Sequence, residues 1–188
     1  MVVSILRAFI AVGLSEETRA ALAEVQSELR RVQADVKWVA VESIHITLKF
    51  LGWVDDAMLE KIKAVAASCA AGGAFSYTVN GLGSFPPGRK PRVVWAGVTD
   101  GAARLIALAQ KLDAALEPLG FEKENRPFVP HLTIGRVRSP RKAELLAPAI
   151  EHHASTMFGT CEVSELILFE SKLSPRGATY LPVERFNL

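Results

Sequence analysis

Cysteine is almost missing from this chain. Cys69 and Cys161 are the 2 thiols among 188 residues, and they stand far apart with no C-x-x-C pair. Neither a disulfide framework nor a zinc site is therefore indicated, and a reduced, cytoplasmic setting is the expectation. Charge of one sign is missing too: 22 Lys and Arg face 20 Asp and Glu, a formal net charge of +2. With a pI of about 8.6, that balance permits nucleic-acid binding without arguing for it, and nothing resembles a polybasic tail. Long apolar runs are absent. The opening stretch from Met1 to Leu14 is apolar, but Arg7 interrupts it, so it reads as a first buried strand rather than a leader. No later segment approaches the ~18 consecutive apolar residues of a membrane span.

What is present is a globular composition, 49% hydrophobic and 22% charged, in a chain long enough to bury a core as one domain or two small lobes. The chain has only 4 histidines, and two of them occupy matching places in a repeated pattern, His45-Ile46-Thr47-Leu48 and His131-Leu132-Thr133-Ile134. In a strand, side chains alternate between faces, so His45 shares a face with Thr47, and His131 with Thr133. The intervening aliphatic residues point the other way and bury one side of each strand. Two histidines facing a shared space can supply general acid and general base near neutral pH.

The rest of the chain alternates strands with helices. Val2 to Val12 reads as a strand, then Ser15 caps a helix with Leu22, Val25, Leu29 and Val32 at helical spacing, running to about Asp35. The first motif strand spans His45 to Leu51 and ends at Gly52. Asp55 or Asp56 caps a second helix with the stripe Met58, Ile62, Val65 and Cys69, stopped by Gly72-Gly73. Strands follow at Phe75 to Leu82 and Arg92 to Val98, separated by a Gly- and Pro-rich loop. Asp100 caps a third helix carrying Leu105, Leu108, Leu112, Leu116 and Leu119, with Gly120 as its stop. The prolines of Arg126-Pro127-Phe128-Val129-Pro130 force extended geometry into the second motif strand, His131 to Val137. Ser139-Pro140 starts a fourth helix, and strands at Glu162 to Ser171 and Thr179 to Arg185 close the chain around Pro175-Arg176-Gly177. Each motif strand precedes a helix, so the chain looks like two related halves joined near Asp100. No Gly-rich phosphate loop follows any strand, and half-polar motif strands favour an α+β fold with mostly antiparallel sheets.

The phrases His45-Ile46-Thr47-Leu48-Lys49-Phe50-Leu51-Gly52 and Arg126-Pro127-Phe128-Val129-Pro130-His131-Leu132-Thr133-Ile134-Gly135-Arg136 resemble the two-histidine phosphoesterase superfamily. Within it they are most similar to the RNA 2′,3′-cyclic phosphodiesterases, historically called 2′-5′ RNA ligases. The likeness extends over essentially the whole chain, residues 1–188. It includes Arg7-Ala8-Phe9-Ile10-Ala11, Val93-Val94-Trp95 and Glu170-Ser171. A single H-x-T arises by chance in many proteins, whereas two embedded in these phrases are specific. The resemblance implies one bilobal domain with pseudo-two-fold symmetry, each lobe giving a motif strand to a central cleft. It also implies metal-free opening of a cyclic phosphate at an RNA end, with no cofactor. On that resemblance His45 donates a proton to the leaving 3′ oxygen and His131 accepts one from water; the residues alone leave this polarity open.

Chemically, Thr47 and Thr133 can donate hydroxyl hydrogen bonds to phosphate oxygens. Arg126, held by the proline-flanked segment, is a candidate phosphate ligand, as are Arg136 and the cluster of Arg89, Lys90 and Arg92. Lys49 shares strand parity with His45 and is a further candidate for contact with RNA phosphates, or simply solvates the strand end. Phe85 is a candidate for stacking on a base, whereas Trp38, Trp53 and Trp95 read as packing residues. His152 and His153 fall at a helix end without a third ligand nearby, so no metal site is expected. Two rival readings are an ATP-independent 2′-5′ ligase and an RNA or nucleotide binding module without turnover. A cleft within one chain makes a monomer the expectation.

Overall fold

The computed structural model describes residues 5–174 and 177–188. Among the described residues nine strands form two sheets flanked by four α-helices. The strands are β1 (Ile5–Val12), β2 (Val36–Trp38), β3 (Ile46–Asp55), β4 (Phe75–Phe85), β5 (Val93–Val98), β6 (His131–Val137), β7 (Met157–Val163), β8 (Glu165–Ser174) and β9 (Gly177–Asn187). The helices are α1 (Glu16–Arg30), α2 (Asp56–Ala70), α3 (Ala102–Leu116) and α4 (Leu146–His152). One sheet has the order β3-β1-β8-β9 and the other β2-β6-β5-β4-β7, and neighbouring strands pair antiparallel. Among the described residues no helix is long and apolar enough to cross a membrane.

Pseudo-symmetry is visible in the strand order. The series β3-β1-β8-β9 is matched by β6-β5-β4-β7, and in each a strand-helix-strand unit, β1-α1-β3 or β5-α3-β6, supplies the motif strand. The lobes are not two contiguous halves meeting at Asp100, as the sequence suggested. β2 and β4 of the first half lie in the second sheet, and β8 and β9 return to the first. The physical reason is that a two-stranded unit leaves unpaired edges and too little buried surface, so each is completed by strands from elsewhere in the chain. Ala8, Ile10 and Val12 of β1 enter the same contiguous apolar core as Val79, Val94, Leu132 and Ile134 of the other sheet.

Helix α1 starts as its sequence dictates: the Ser15 hydroxyl accepts the Thr18 N–H at 3.3 Å, and Leu22, Val25 and Leu29 are buried. It stops at Arg30 rather than Asp35, because Gln33 takes a left-handed φ of 58° and turns the chain into β2. Asp55 caps α2 by accepting the Met58 N–H at 2.8 Å. The core face of α2 is Leu59, Ile62, Ala66 and Cys69, with Met58 and Val65 at its margins, so the expected stripe is rotated by one residue. At α3 the cap is Gly101, with φ 79°, and not Asp100. A Cβ at Gly101 would lie 2.2 Å from the Ser76 carbonyl oxygen, so only glycine lets α3 begin this close to β4.

Other boundaries differ from expectation as well, and β4 runs past Leu82 to Phe85, taking the start of the expected loop into the strand. β3 continues through Gly52 to Asp55, since Gly52 still pairs with Ala8 and the register slips between Ala8 and Phe9. The fourth helix begins at Leu146 after a tight turn at Ala143–Leu145, leaving Leu145 exposed. The expected strand from Glu162 to Ser171 is two strands in different sheets, β7 and β8, separated at Ser164. Of the expected closing turn, Pro175 and Arg176 lie outside the described residues, as do Val2 to Ser4 of the first strand.

Candidate active site

His45 immediately precedes β3 and His131 opens β6. The strands come within 8 Å of one another, Cα to Cα, where the sheets meet. The histidines share an anchor. In each, Nδ1–H donates to the backbone carbonyl two residues earlier, Ser43 O at 2.7 Å and Val129 O at 2.8 Å. A carbonyl oxygen can only accept, so Nδ1 must carry its proton in both rings. Each Nε2 is then a base when the ring is neutral and an acid when it is charged.

The surroundings differ. The His45 ring stacks on Phe9 at 4.8 Å, makes a T-shaped contact with Tyr180 at 5.0 Å, and lies 6.1 Å from Phe169. Burial among these rings holds His45 below the ordinary histidine value, partly opposed by its bond to the Ser43 carbonyl. The Thr47 hydroxyl lies 3.0 Å from His45 Nε2, where it donates to the neutral ring. His131 is more open; the Phe85 ring stands nearly perpendicular to it with centroids 5.3 Å apart.

Register puts Thr133 opposite Trp95 and His131 opposite Gly97. Paired residues share a face, so Trp95 and Thr133 line the same wall. The indole lies flat across β4, where a Cβ on Gly83 would come within 2.2 Å of its ring. It also packs on Phe85 at 5.2 Å, and its Nε1 is buried without a hydrogen-bond partner among the described residues. On the facing sheet Thr47 lies opposite Ala11, with Phe9 and the exposed Phe50 further along that face.

Lys49 departs from both expectations, neither reaching toward a phosphate nor solvating the strand end. The register slips between Ile10 and Ala11, so that Ile10 pairs with Lys49 and Ala11 with Thr47. That extra residue turns Lys49 inward, where it is 3% exposed and paired with Asp113. Arg126 is exposed and lines a groove with Leu48, Asp113 and Phe128. Among the described residues no hydrogen bond or ion pair joins it to either histidine. Arg136 pairs with Val93 and stands beside Lys37, while Arg89, Lys90 and Arg92 are exposed on the β4–β5 loop. Among the described residues no cluster of three or more His, Cys, Asp or Glu could hold a metal ion. His153 instead pairs with Glu28 at 3.1 Å.

Several residues of the site escaped sequence reasoning. Phe9, Phe169 and Tyr180 come from strands whose pairing carries no local signal. A further one is Gln26 of α1. It is buried, and its Nε2 donates to Val39 O at 2.9 Å and Ile134 O at 2.8 Å, tying α1 to the second motif strand.

The chain and its fold have counterparts. An RNA 2′,3′-cyclic phosphodiesterase of Methanothermobacter thermautotrophicus is 39% identical over 97% of this chain and 98% of its own length. The solved structure of TT0787 of Thermus thermophilus superposes with a TM-score of 0.82 at 32% identity, covering 97% of this chain and 98% of that one. E. coli LigT complexed with 3′-AMP superposes with a TM-score of 0.78 at 26% identity, covering 98% of this chain and 99% of that one. The sequence profile of the 2′-5′ RNA ligase superfamily matches residues 14–174, a span that takes in both histidine motifs. With the fold, the paired motifs and the relatives agreeing over nearly the full length, the chain belongs to the 2′-5′ RNA ligase superfamily.

Proposed function

We propose that the protein opens 2′,3′-cyclic phosphates at RNA ends to leave 2′-phosphates, with His45 and His131 as its acid and base and no metal. The observation that carries this reading is the matched pair of imidazoles. Each is held by an Nδ1–H bond to the carbonyl two residues back, at 2.7 and 2.8 Å, and each thereby keeps Nε2 for proton transfer. Relatives named for this activity and a relative complexed with 3′-AMP support the substrate class.

In the proposed step His131 Nε2 takes a proton from water as its oxygen attacks phosphorus. The bond from phosphorus to the 3′ oxygen breaks, and protonated His45 gives its Nε2 proton to that oxygen. Thr47 and Thr133 donate hydroxyl hydrogen bonds to the non-bridging oxygens, whose charge grows toward the transition state. Arg126, on the exposed segment leading to His131, attracts the RNA backbone. His45 loses its proton easily because it is desolvated, and the bound phosphate anion opposes that loss. The lobes act as a single catalytic unit, since each contributes one histidine.

The family's description favours one other reading, in which a 5′-hydroxyl replaces water and a 2′-5′ linkage forms. A single incubation tells these apart: a short RNA bearing a 2′,3′-cyclic phosphate, with EDTA present. A 2′-phosphate end is expected. A joined dimer overturns hydrolysis in favour of ligation, bound but unchanged RNA means a binding module, and a need for divalent metal overturns the acid-base mechanism.

A further inference from the structure

Lys49 is a buried cation that the proposed chemistry does not use. It follows Thr47 closely in β3, yet the slip in register between Ile10 and Ala11 sends its side chain to the opposite face, away from the substrate. Its ammonium is paired with the Asp113 carboxylate and donates to the Glu122 carbonyl at 2.6 Å. The other Asp113 oxygen accepts the Glu124 N–H at 3.2 Å. Asp113 belongs to α3, while Glu122 and Glu124 open the extended segment that enters β6 at His131. One ion pair therefore ties the strand carrying the first histidine motif to the segment that delivers the second.

Stability alone is a weak reason for such a pair. The cost of desolvating two charges offsets most of their attraction, and well-packed apolar residues of similar size commonly replace a buried pair without loss. Charge-assisted hydrogen bonds add direction: they fix which atoms meet and at what separation, where apolar contacts tolerate sliding. On this site such sliding matters, because a base and an acid on different lobes must reach the same phosphate. We propose that Lys49 and Asp113 are positioning residues, a brace across the lobes that sets the separation of His45 and His131. This rests on the reading of the cleft given above. Since neither residue touches substrate, the loss on removing the brace falls on kcat more than on KM.

The test compares wild type with Lys49→Met/Asp113→Leu, which removes both charges and leaves none unpaired, and with Lys49→Arg, which keeps a cation able to reach both acceptors. A dinucleotide ending in a 2′,3′-cyclic phosphate is the substrate. The double variant is expected to melt within about 3 °C of wild type. Its kcat is expected to fall by about tenfold or more with KM changed less than about threefold, since displacement by ~1 Å can cost ~10²-fold. Lys49→Arg regains most of the lost kcat. An unchanged kcat in the double variant, or a loss that only tracks the melting temperature, overturns the brace. If wild type turns over no cyclic phosphate, the reading of the cleft fails instead, and inorganic phosphate decides the brace. In wild type, phosphate shifts the imidazole NMR resonances of His45 and His131 over one concentration range; in the double variant it acts on them separately and more weakly. Identical titrations in the two proteins overturn it.

Discussion

At the scale of single residues, the aromatic surroundings of His45 make the stability of the fold depend on pH. Burial holds His45 below its ordinary value, whereas in the unfolded chain it titrates near ~6.5. As pH falls the unfolded chain takes up this proton first. The stabilisation from neutral His45 is therefore complete above about pH 6.5 and is lost as pH falls toward the folded value. Between about pH 7 and 5 the melting temperature of wild type should fall more steeply than that of His45→Gln, and equal slopes would show that the ring is not held neutral. Catalytic polarity is read differently. Alanine at either histidine should cost about 10²–10⁴ in turnover. In His131→Ala the residual activity should decline with rising pH, because the remaining group must be protonated to act; a rise would make His45 the base. The histidines and threonines were legible beforehand because a period of two needs only local sequence. The inward turn of Lys49 was not, because it follows from an extra residue in β3 set by pairing with β1.

Among secondary-structure elements, the close approach of β4 to the Trp95 indole makes a sharper test than any cap. A methyl group at Gly83 would meet that ring at 2.2 Å, and the ring rests on Phe85, which makes a T-shaped contact with His131. Gly83→Ala should therefore displace the wall of the cleft. Turnover of a cyclic dinucleotide is expected to drop by about tenfold or more while far-UV circular dichroism stays unchanged, and wild-type turnover would show that the ring yields freely. Caps mark what the elements disclose in advance. Ser15 and the pair Asp55-Asp56, of which Asp55 is the cap, announced α1 and α2 because a side-chain oxygen before a helix is a local signal. Gly101 displaced Asp100 as the start of α3 because its neighbour in space, Ser76, is distant in sequence. The division between β7 and β8 was hidden for a related reason: no glycine or proline marks a turn at Ser164-Glu165, and only the sheet each strand joins separates them.

Over the whole molecule, interleaving the two sheets has a thermodynamic consequence. Because β4 crosses from the first half into the second sheet and β8 and β9 cross back, neither lobe keeps its full set of strands if the other opens. The buried apolar side chains of both sheets are also contiguous. The Tyr77 hydroxyl crosses between them, donating from β4 to the Gly13 carbonyl beyond the end of β1 at 2.7 Å, from a side chain with 0% exposure. Burial raises its phenol well above the ordinary tyrosine range, so it remains a donor at any working pH. Tyr77→Phe leaves the Gly13 carbonyl without that donor at a cost on the order of 1–3 kcal/mol. Each kcal/mol corresponds to a drop of about 2–4 °C in melting temperature for a chain of this length. Calorimetry should record that drop as one transition, in wild type and variant alike, with the van't Hoff enthalpy equal to the calorimetric one. Two resolved transitions would mean that the lobes unfold independently, and strand exchange between them could not then be what keeps the paired histidines in register.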